Sequence, residues 1–170
     1  DWLVVGNVGL VSGLALSGLL SFGLIALMHV EMGLPALVAV VAGVNLWLLP
    51  SLLAAALVGK PGAALAAQAP VALVLALLTP YGMDGLLACL FYGLAAELAV
   101  AALTRYRSFG WRRMGLSGLP AGLLSVTTAV LFHPVIPLWL PTLAVMGLAS
   151  LGSAFAYSAV AGLLAERLRG

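Results

Sequence analysis

The chain has 170 residues, of which 64% are hydrophobic and only 7% are charged, with a formal net charge of +2 and a mean hydropathy of +1.23. About a quarter of the residues in a soluble domain are charged, so this composition excludes a soluble globular protein. It predicts an integral membrane protein. The lengths of the apolar runs favour helices, because the strands of a membrane barrel alternate in polarity over about 10 residues.

Six apolar runs in chain order predict an all-α bundle of six transmembrane helices in a single domain, 1–170. Each run is close to the roughly 20 residues that one helix needs to cross the hydrocarbon core. Pro50 is expected to bend the second span just after Trp47, and Pro70 is expected to interrupt the third. The predicted spans are 8–28, 34–58, 63–79, 86–103, 116–132 and 142–166.

The first span carries a strip of small side chains along one helix face. The strip recurs every four residues and consists of Gly9, Gly13, Ser17 and Ser21. Such strips let another helix backbone approach closely. That helix belongs either to the same chain or to a partner subunit, and in the second case Gly9, Gly13 and Ser17 are the candidate interface residues.

All basic residues fall on one side of the six-span topology. They lie in the second and fourth loops and at the end of the last span. The positive-inside rule therefore predicts that both termini are cytoplasmic. The basic residues are Lys60, Arg105, Arg107, Arg112, Arg113, Arg167 and Arg169.

Two polar residues, Glu97 and Gln68, lie inside apolar runs at depths that we predict to be similar. An ionisable group within a span normally faces a cavity, a ligand or a polar partner. Glu97 either contacts a ligand or forms a structural hydrogen bond or ion pair, for example with Arg105. Gln68 is as compatible with ligand contact as with a structural hydrogen bond to Glu97.

Four further residues are candidates for contact with a ligand. Asn45 has the same two interpretations as Gln68. The ring of Trp47 lies beside the predicted bend, where it is suited to stacking on a flat ligand. Tyr92 and Trp139 are also compatible with ordinary aromatic packing and with the aromatic belt at the membrane interface, respectively.

No enzyme or cofactor motif is present in the sequence. It has no Gly-rich phosphate-binding loop, no His-Glu-x-x-His and no Cys-x-x-Cys. No serine has a recognisable His and Asp to activate it. Cys89 is the single cysteine and is expected to pack as a small apolar residue. We therefore predict no catalytic residues, no metal site and no cofactor.

Three segments together resemble the YkoE family of substrate-binding (S) components of energy-coupling-factor (ECF) transporters. These segments are LWLLP at 46–50, GKPGAALAAQ at 59–68 and YGLAAELAVAALTRYR at 92–107. The family's glutamate falls on Glu97, whereas the chain has Gln68 and Tyr92 where a glutamate and a glutamine are usual in the family.

The resemblance implies a six-helix S component of a bacterial cell-membrane importer, with an outward-facing site for thiamine or its hydroxymethylpyrimidine precursor. It also implies a transmembrane coupling subunit and cytoplasmic ATPase subunits as partners. The alternative is a membrane scaffold subunit that transports nothing, in which Glu97 and Gln68 only hold helices together. The candidate substrate-binding residues are Asn45, Trp47, Gln68, Tyr92, Glu97 and Trp139.

Overall fold

The computed structural model describes residues 2–28, 34–78, 82–132 and 140–169. Side chains are described for all of these residues except 16–28, 34–37, 40, 128–132 and 169. Every secondary-structure element within these residues is an α-helix, which confirms that the fold is all-α. The helices are α1 Trp2–Met28, α2 Leu34–Asn45, α3 Leu48–Val58, α4 Ala63–Leu78, α5 Gly82–Thr104, α6 Trp111–Phe132 and α7 Leu140–Arg169.

Three stretches of the described residues are long and apolar enough to cross a membrane. These are Val41–Val58, Gly82–Thr104 and Leu140–Leu168, and two shorter apolar helices cover Trp2–Ala15 and Ala63–Leu78. The protein is thus a multi-pass membrane protein by its helices, while the count of six spans stays a prediction.

The bend predicted near Pro50 is present and separates α2 from α3. Pro50 has no backbone N–H, so it cannot donate to the carbonyl of Leu46. The amide of Leu49 donates to that carbonyl instead, at 3.0 Å, and the amide of Trp47 donates to Val44 at 3.1 Å. These tighter turns interrupt the helix at Leu46 and Trp47.

The expected interruption at Pro70 was wrong, because α4 continues through this residue. The proline ring lies against α1 at Gly9, where a Cβ would overlap both the ring and the carbonyl of Ala67. One turn further along α1, a Cβ on Gly13 would lie 3.0 Å from the Cα of Val71. Pro70 thus lies inside α4, at the place where α1 packs most closely against it.

The two glycines of the small-residue strip therefore contact a helix of the same chain. This is the first of the two alternatives weighed for the strip, and it leaves Gly9 and Gly13 buried rather than available to a partner subunit. The side chain of Ser17 lies outside the described residues.

The core of the bundle is centred on α3. This helix packs against α1, α4, α5 and α7, and Leu48, Leu52 and Ala55 on it are fully buried. Large apolar side chains on the other helices remain exposed on the outside of the bundle, such as Leu77, Leu98 and Leu148. Apolar residues thus lie both in the core and on the outer surface. A helix bundle surrounded by lipid has such an outer surface, since lipid tails are as apolar as leucine.

Contacts between loops bring the basic residues to one end of the bundle, which we call the basic end. The turn between α3 and α4 touches α5, because the amide of Gly62 donates to Glu97. The loop between α5 and α6 touches the end of α7, because the amide of Trp111 donates to Glu166. The orientation of the basic end toward the cytoplasm stays a prediction.

Candidate functional site

The helix break at residues 46 and 47 directs two side chains into the bundle. Asn45 at the end of α2 is fully buried, and Trp47 is 8% exposed. The amide nitrogen of Asn45 donates to the hydroxyl oxygens of Ser150 at 2.7 Å and Ser153 at 2.8 Å on α7. Its side-chain oxygen has no hydrogen-bond partner among the described residues. The amide nitrogen of Asn45 therefore connects α2 to α7, and its amide oxygen is unpaired among the described residues.

Ser150 extends this contact to a third helix. Its hydroxyl donates to the carbonyl of Gly122 on α6 at 2.8 Å. Gly122 permits the close approach, since a Cβ there would lie 2.9 Å from the Ser150 carbonyl oxygen. Asn45, Ser150 and Gly122 thus join α2, α7 and α6 through polar atoms.

Gln68 on α4 is fully buried and is oriented by the broken helix. Its amide nitrogen donates to the carbonyl oxygen of Trp47 at 2.5 Å. Its amide oxygen has no partner among the described residues. A hydrogen bond from Gln68 to Glu97, one of the two alternatives weighed from the sequence, is not formed. The Gln68 amide bonds to the chain at the α2–α3 break, and the Glu97 carboxylate bonds to the start of α4.

The aromatic rings of Trp47 and Tyr92 meet beside Gln68. Their centroids are 5.8 Å apart with an interplanar angle of 70°, an edge-to-face arrangement that aromatic pairs favour. The indole N–H of Trp47 has no acceptor among the described residues. The Tyr92 hydroxyl lies near the side chain of Ser125 on α6. The hydroxyl oxygen of Ser125 has no hydrogen-bond partner of standard geometry among the described residues.

These residues form one group, which we call the buried polar cluster: Asn45, Trp47, Gln68, Tyr92 and Ser125. Four of the five carry a buried polar atom that the described residues leave unpaired. Leaving such an atom without a partner costs about 1–3 kcal/mol, so unpaired atoms gathered in one region require an explanation. The unpaired set has two amide oxygens that accept, an indole N–H that donates, and a hydroxyl that does either.

Glu97 lies in a different environment, at the basic end of the bundle. Its carboxylate accepts from the backbone amides of Gly62 at 2.6 Å, Ala64 at 2.9 Å and Leu65 at 3.3 Å. These amides begin α4, where the first N–H groups of a helix have no intrahelical acceptor. The hydroxyl of Tyr106 also donates to Glu97. We call Glu97, its amide donors and Tyr106 the carboxylate cap.

All four donors to Glu97 come from the protein itself. The structural alternative weighed from the sequence therefore describes this side chain, with helix amides and a tyrosine in place of the suggested Arg105. The carboxylate also lies closer to the basic end than Gln68 does. It contacts Ala64, four residues and about 6 Å along α4 from Gln68 at 1.5 Å per residue.

Tyr106 reaches Glu97 only because the chain reverses sharply after α5. Arg105 and Tyr106 have φ of 47° and 55°, in the left-handed region that side chains other than Gly and Asn seldom adopt. Thr104 supports the turn by accepting from the Tyr106 amide at 3.2 Å. Partial burial, followed by the hydrogen bond to Glu97 and its charge, raises the pKa of Tyr106 above its usual range.

The sequence did not single out four residues that contribute to these two regions: Ser125, Ser150, Ser153 and Tyr106. The serines resemble the small residues found throughout the spans, and only their position opposite Asn45 and Tyr92 distinguishes them. Tyr106 lies within the RYR segment used for the family resemblance, which was the available signal. Trp139 lies outside the described residues, as do 29–33, 79–81 and 133–138 of the predicted outer loops.

Two comparisons with known proteins give a match, one to a family and one to a fold. The family described as "ABC-type cobalt transport system, permease component" matches residues 1–124. A solved structure described as "Crystal structure of an S-component of ECF transporter" superposes with a TM-score of 0.80 and 24% sequence identity, covering 98% of this chain and 80% of that one. No curated protein sequence matches the chain. The fold is therefore that of an ECF S component, and neither family nor fold is that of an enzyme.

Proposed function

Because the chain belongs to the family of ABC-type cobalt transport permease components, we propose that it is the substrate-binding membrane subunit of an ECF-type importer in a bacterial cell membrane. The superposition on an S component over nearly its whole length supports this role. A transmembrane coupling subunit and cytoplasmic ATPase subunits would be its partners, since the chain carries no phosphate-binding motif of its own.

The buried polar cluster is the substrate-binding region in this proposal. The observation that carries it is the set of buried polar atoms without partners around the Trp47–Tyr92 pair. A bound molecule that paired with these atoms would relieve their desolvation cost, and that gain is realised only for a ligand with matching donors and acceptors. Binding sites of this kind are mostly apolar with a few polar groups that fix the orientation of the ligand.

We propose thiamine or its hydroxymethylpyrimidine precursor as the ligand. The exocyclic amine of an aminopyrimidine would donate to the unpaired amide oxygens of Asn45 and Gln68. A ring nitrogen would accept from the indole N–H of Trp47. The aromatic faces of Trp47 and Tyr92 would contact the flat ring, and they would also favour the cationic thiazolium of thiamine.

The family description suggests cobalt as a competing substrate. Cobalt binds best to imidazole, thiolate or carboxylate ligands. Among the described residues no group of three His, Cys, Asp or Glu side chains could hold a metal ion, and the cluster offers amide, indole and hydroxyl groups instead. The chemistry of these donors favours an organic ligand, so cobalt serves as the alternative in the test below.

The test is ligand binding to the purified protein in detergent. Thiamine, hydroxymethylpyrimidine and cobalt chloride are compared by calorimetry and by their effect on the melting temperature. We expect at least one of the two organic compounds to bind and raise the melting temperature, and cobalt to have no specific effect. A response to cobalt alone would overturn the choice of ligand.

One conservative variant separates a ligand site from a scaffold. Trp47→Phe keeps an aromatic ring and removes the indole N–H, which makes no hydrogen bond in the described structure. We expect it to weaken binding strongly and to lower the melting temperature of the unliganded protein only by the amount that a small cavity in the core costs. Trp111→Phe at the basic end is the matched control and should leave binding unchanged. If the parent protein bound none of the ligands and Trp47→Phe only lowered the stability, the scaffold alternative would be favoured.

A further inference from the structure

One buried polar side chain outside the buried polar cluster takes part in none of the ligand contacts proposed above. Ser51 on α3 is fully buried, and its hydroxyl has no hydrogen-bond partner among the described residues. The other buried side-chain atoms that are unpaired in the described part of the chain all belong to the cluster. The unpaired hydroxyl of Ser51 therefore requires the same kind of explanation as the unpaired atoms of the cluster.

Two other buried serines show where the hydroxyl of a helical serine normally bonds. The hydroxyls of Ser117 and Ser158 each donate to the carbonyl four residues earlier, at 2.9 Å and 2.7 Å, which is common for serine within a helix. For Ser51 that carbonyl belongs to Trp47, and the amide nitrogen of Gln68 donates to it at 2.5 Å. Gln68 thus occupies the acceptor that the Ser51 hydroxyl would otherwise use.

The geometry of α3 directs the Ser51 hydroxyl toward the same place as the Gln68 amide. Trp47 has helical backbone angles, φ −66° and ψ −18°, and α3 begins at the next residue, so Ser51 lies one turn further along the same helix face. Helical side chains lean toward the N-terminus of their helix, which points the Ser51 hydroxyl back toward the Trp47 carbonyl. The Gln68 oxygen and the Ser51 hydroxyl are nevertheless both unpaired, so they do not bond to each other.

We propose, on the basis of the function proposed above, that Ser51 and Gln68 form a subsite for a planar ligand edge in which a donor lies next to an acceptor. The amine of an aminopyrimidine would donate to the Gln68 oxygen, and the adjacent ring nitrogen would accept from the Ser51 hydroxyl. An oxopyrimidine carries a carbonyl oxygen in place of the amine, so it would bring two acceptors together at Gln68. Ser51 is then a specificity-determining residue for the aminopyrimidine edge.

A thermodynamic cycle between protein and ligand tests this subsite. The parent protein and Ser51→Ala are titrated by calorimetry with thiamine and hydroxymethylpyrimidine, and with the analogue of each in which CH replaces the ring nitrogen next to the amine. Because the analogues also differ in basicity, the quantity compared is the effect of Ser51→Ala on each compound. We expect Ser51→Ala to weaken binding of the pyrimidine by roughly fivefold, the effect of one neutral hydrogen bond, and to leave binding of its analogue unchanged.

Ser117→Ala is the matched control. Ser117 is equally buried, but its hydroxyl is paired within α6, so this change should not alter the affinity for either compound. Ser51→Ala removes an unpaired hydroxyl from a helix, so its melting temperature should equal or slightly exceed that of the parent.

Two outcomes would overturn the subsite and leave the proposed function standing. One is equal affinity of the parent and Ser51→Ala for the pyrimidine, which would show that the hydroxyl faces protein or water. The other is an equal loss of affinity for the pyrimidine and its analogue, which would assign Ser51 a structural role. A parent protein that bound none of the compounds would overturn the proposed function and the subsite together.

Discussion

The carboxylate cap and the buried polar cluster lie only about 6 Å apart along α4, yet their polar atoms are paired to very different extents. Glu97 has four donors for its two oxygens, all from the protein. Asn45, Trp47, Gln68 and Ser125 each keep a buried polar atom without a partner in the described structure. Within the described residues the charged side chain is fully paired, and the neutral ones are paired only in part.

This difference teaches that the presence of a charge within a span does not by itself locate a ligand site. A helix N-terminus offers several amides and a partial positive charge, which is enough to stabilise a carboxylate without any ligand. Unpaired neutral groups in a closed core are the stronger signal, because their cost is removed only when something binds. We therefore propose that the cap contributes stability and the cluster recognition, and a variant can test each proposal.

The largest effect is expected for Glu97→Ala. It would leave the first amides of α4 and the Tyr106 hydroxyl without their acceptor, and we expect the free energy of unfolding to fall by about 2–3 kcal/mol. Unfolding in mixed micelles of mild detergent and dodecyl sulfate measures this change. Ligand affinity of the folded fraction should change little.

Glu166→Ala is the control for the cap. Glu166 accepts from one helix amide at 3.3 Å and is exposed, so its loss should have a much smaller effect than that of Glu97. If Glu97→Ala instead reduced ligand affinity more than stability, the division between the cap and the cluster would not hold.

The opposite pattern is expected for Gln68→Leu. This change removes an unpaired amide oxygen together with the single hydrogen bond to Trp47, so the two effects on stability oppose each other and we expect a net change below about 1 kcal/mol. Ligand affinity should fall by about tenfold or more, which is about 1.4 kcal/mol. Calorimetry on the purified variant checks both values when it is paired with unfolding curves.

Ser158→Ala provides the control for the cluster. Ser158 is equally buried, but its hydroxyl bonds the carbonyl of Ala154 within α7. It should leave ligand affinity at the parent value. A Gln68→Leu variant that bound ligand normally would remove Gln68 from the proposed site.

A glycine opposite Gln68 allows a finer test of the cluster. A Cβ on Gly93 would lie 2.9 Å from Cγ of Gln68, so Gly93→Ala must displace this side chain. We expect a loss of about 1 kcal/mol in stability, as for other overpacked sites, together with weaker ligand binding. Gly152→Ala is the matched control, because nothing lies within 4 Å of its added Cβ. The control should stabilise the helix slightly, by about 0.5–1 kcal/mol, and should not affect binding.

The lengths of the apolar runs were enough to predict the all-helical fold. The bend beside Trp47 was predictable because Pro50 lacks a backbone N–H. The role of Glu97 was not predictable from its position alone, since burial of a carboxylate is equally consistent with a ligand and with a helix cap. The turn at Arg105 and Tyr106 was also hidden, because left-handed residues are normally signalled by glycine or asparagine. The contacts of Ser125 with Tyr92 and of Ser150 with Asn45 depend on which helices become neighbours, which no single run encodes.

The smallest effect is expected at the edge of the cap, for Tyr106→Phe. This variant removes one donor to Glu97 and keeps the three helix amides, so the free energy of unfolding should fall by less than about 1 kcal/mol for a partly exposed bond. The pKa of Tyr106 is raised in the folded protein, so its stabilising contribution is complete below the usual value near 10 and is lost as pH rises through the raised folded value. The parent and the variant should therefore differ in stability at pH 8, and the difference should disappear once the pH exceeds the raised pKa of Tyr106 in the folded protein. A difference that persisted undiminished in strong alkali would show that the neutral hydroxyl is not what Tyr106 contributes.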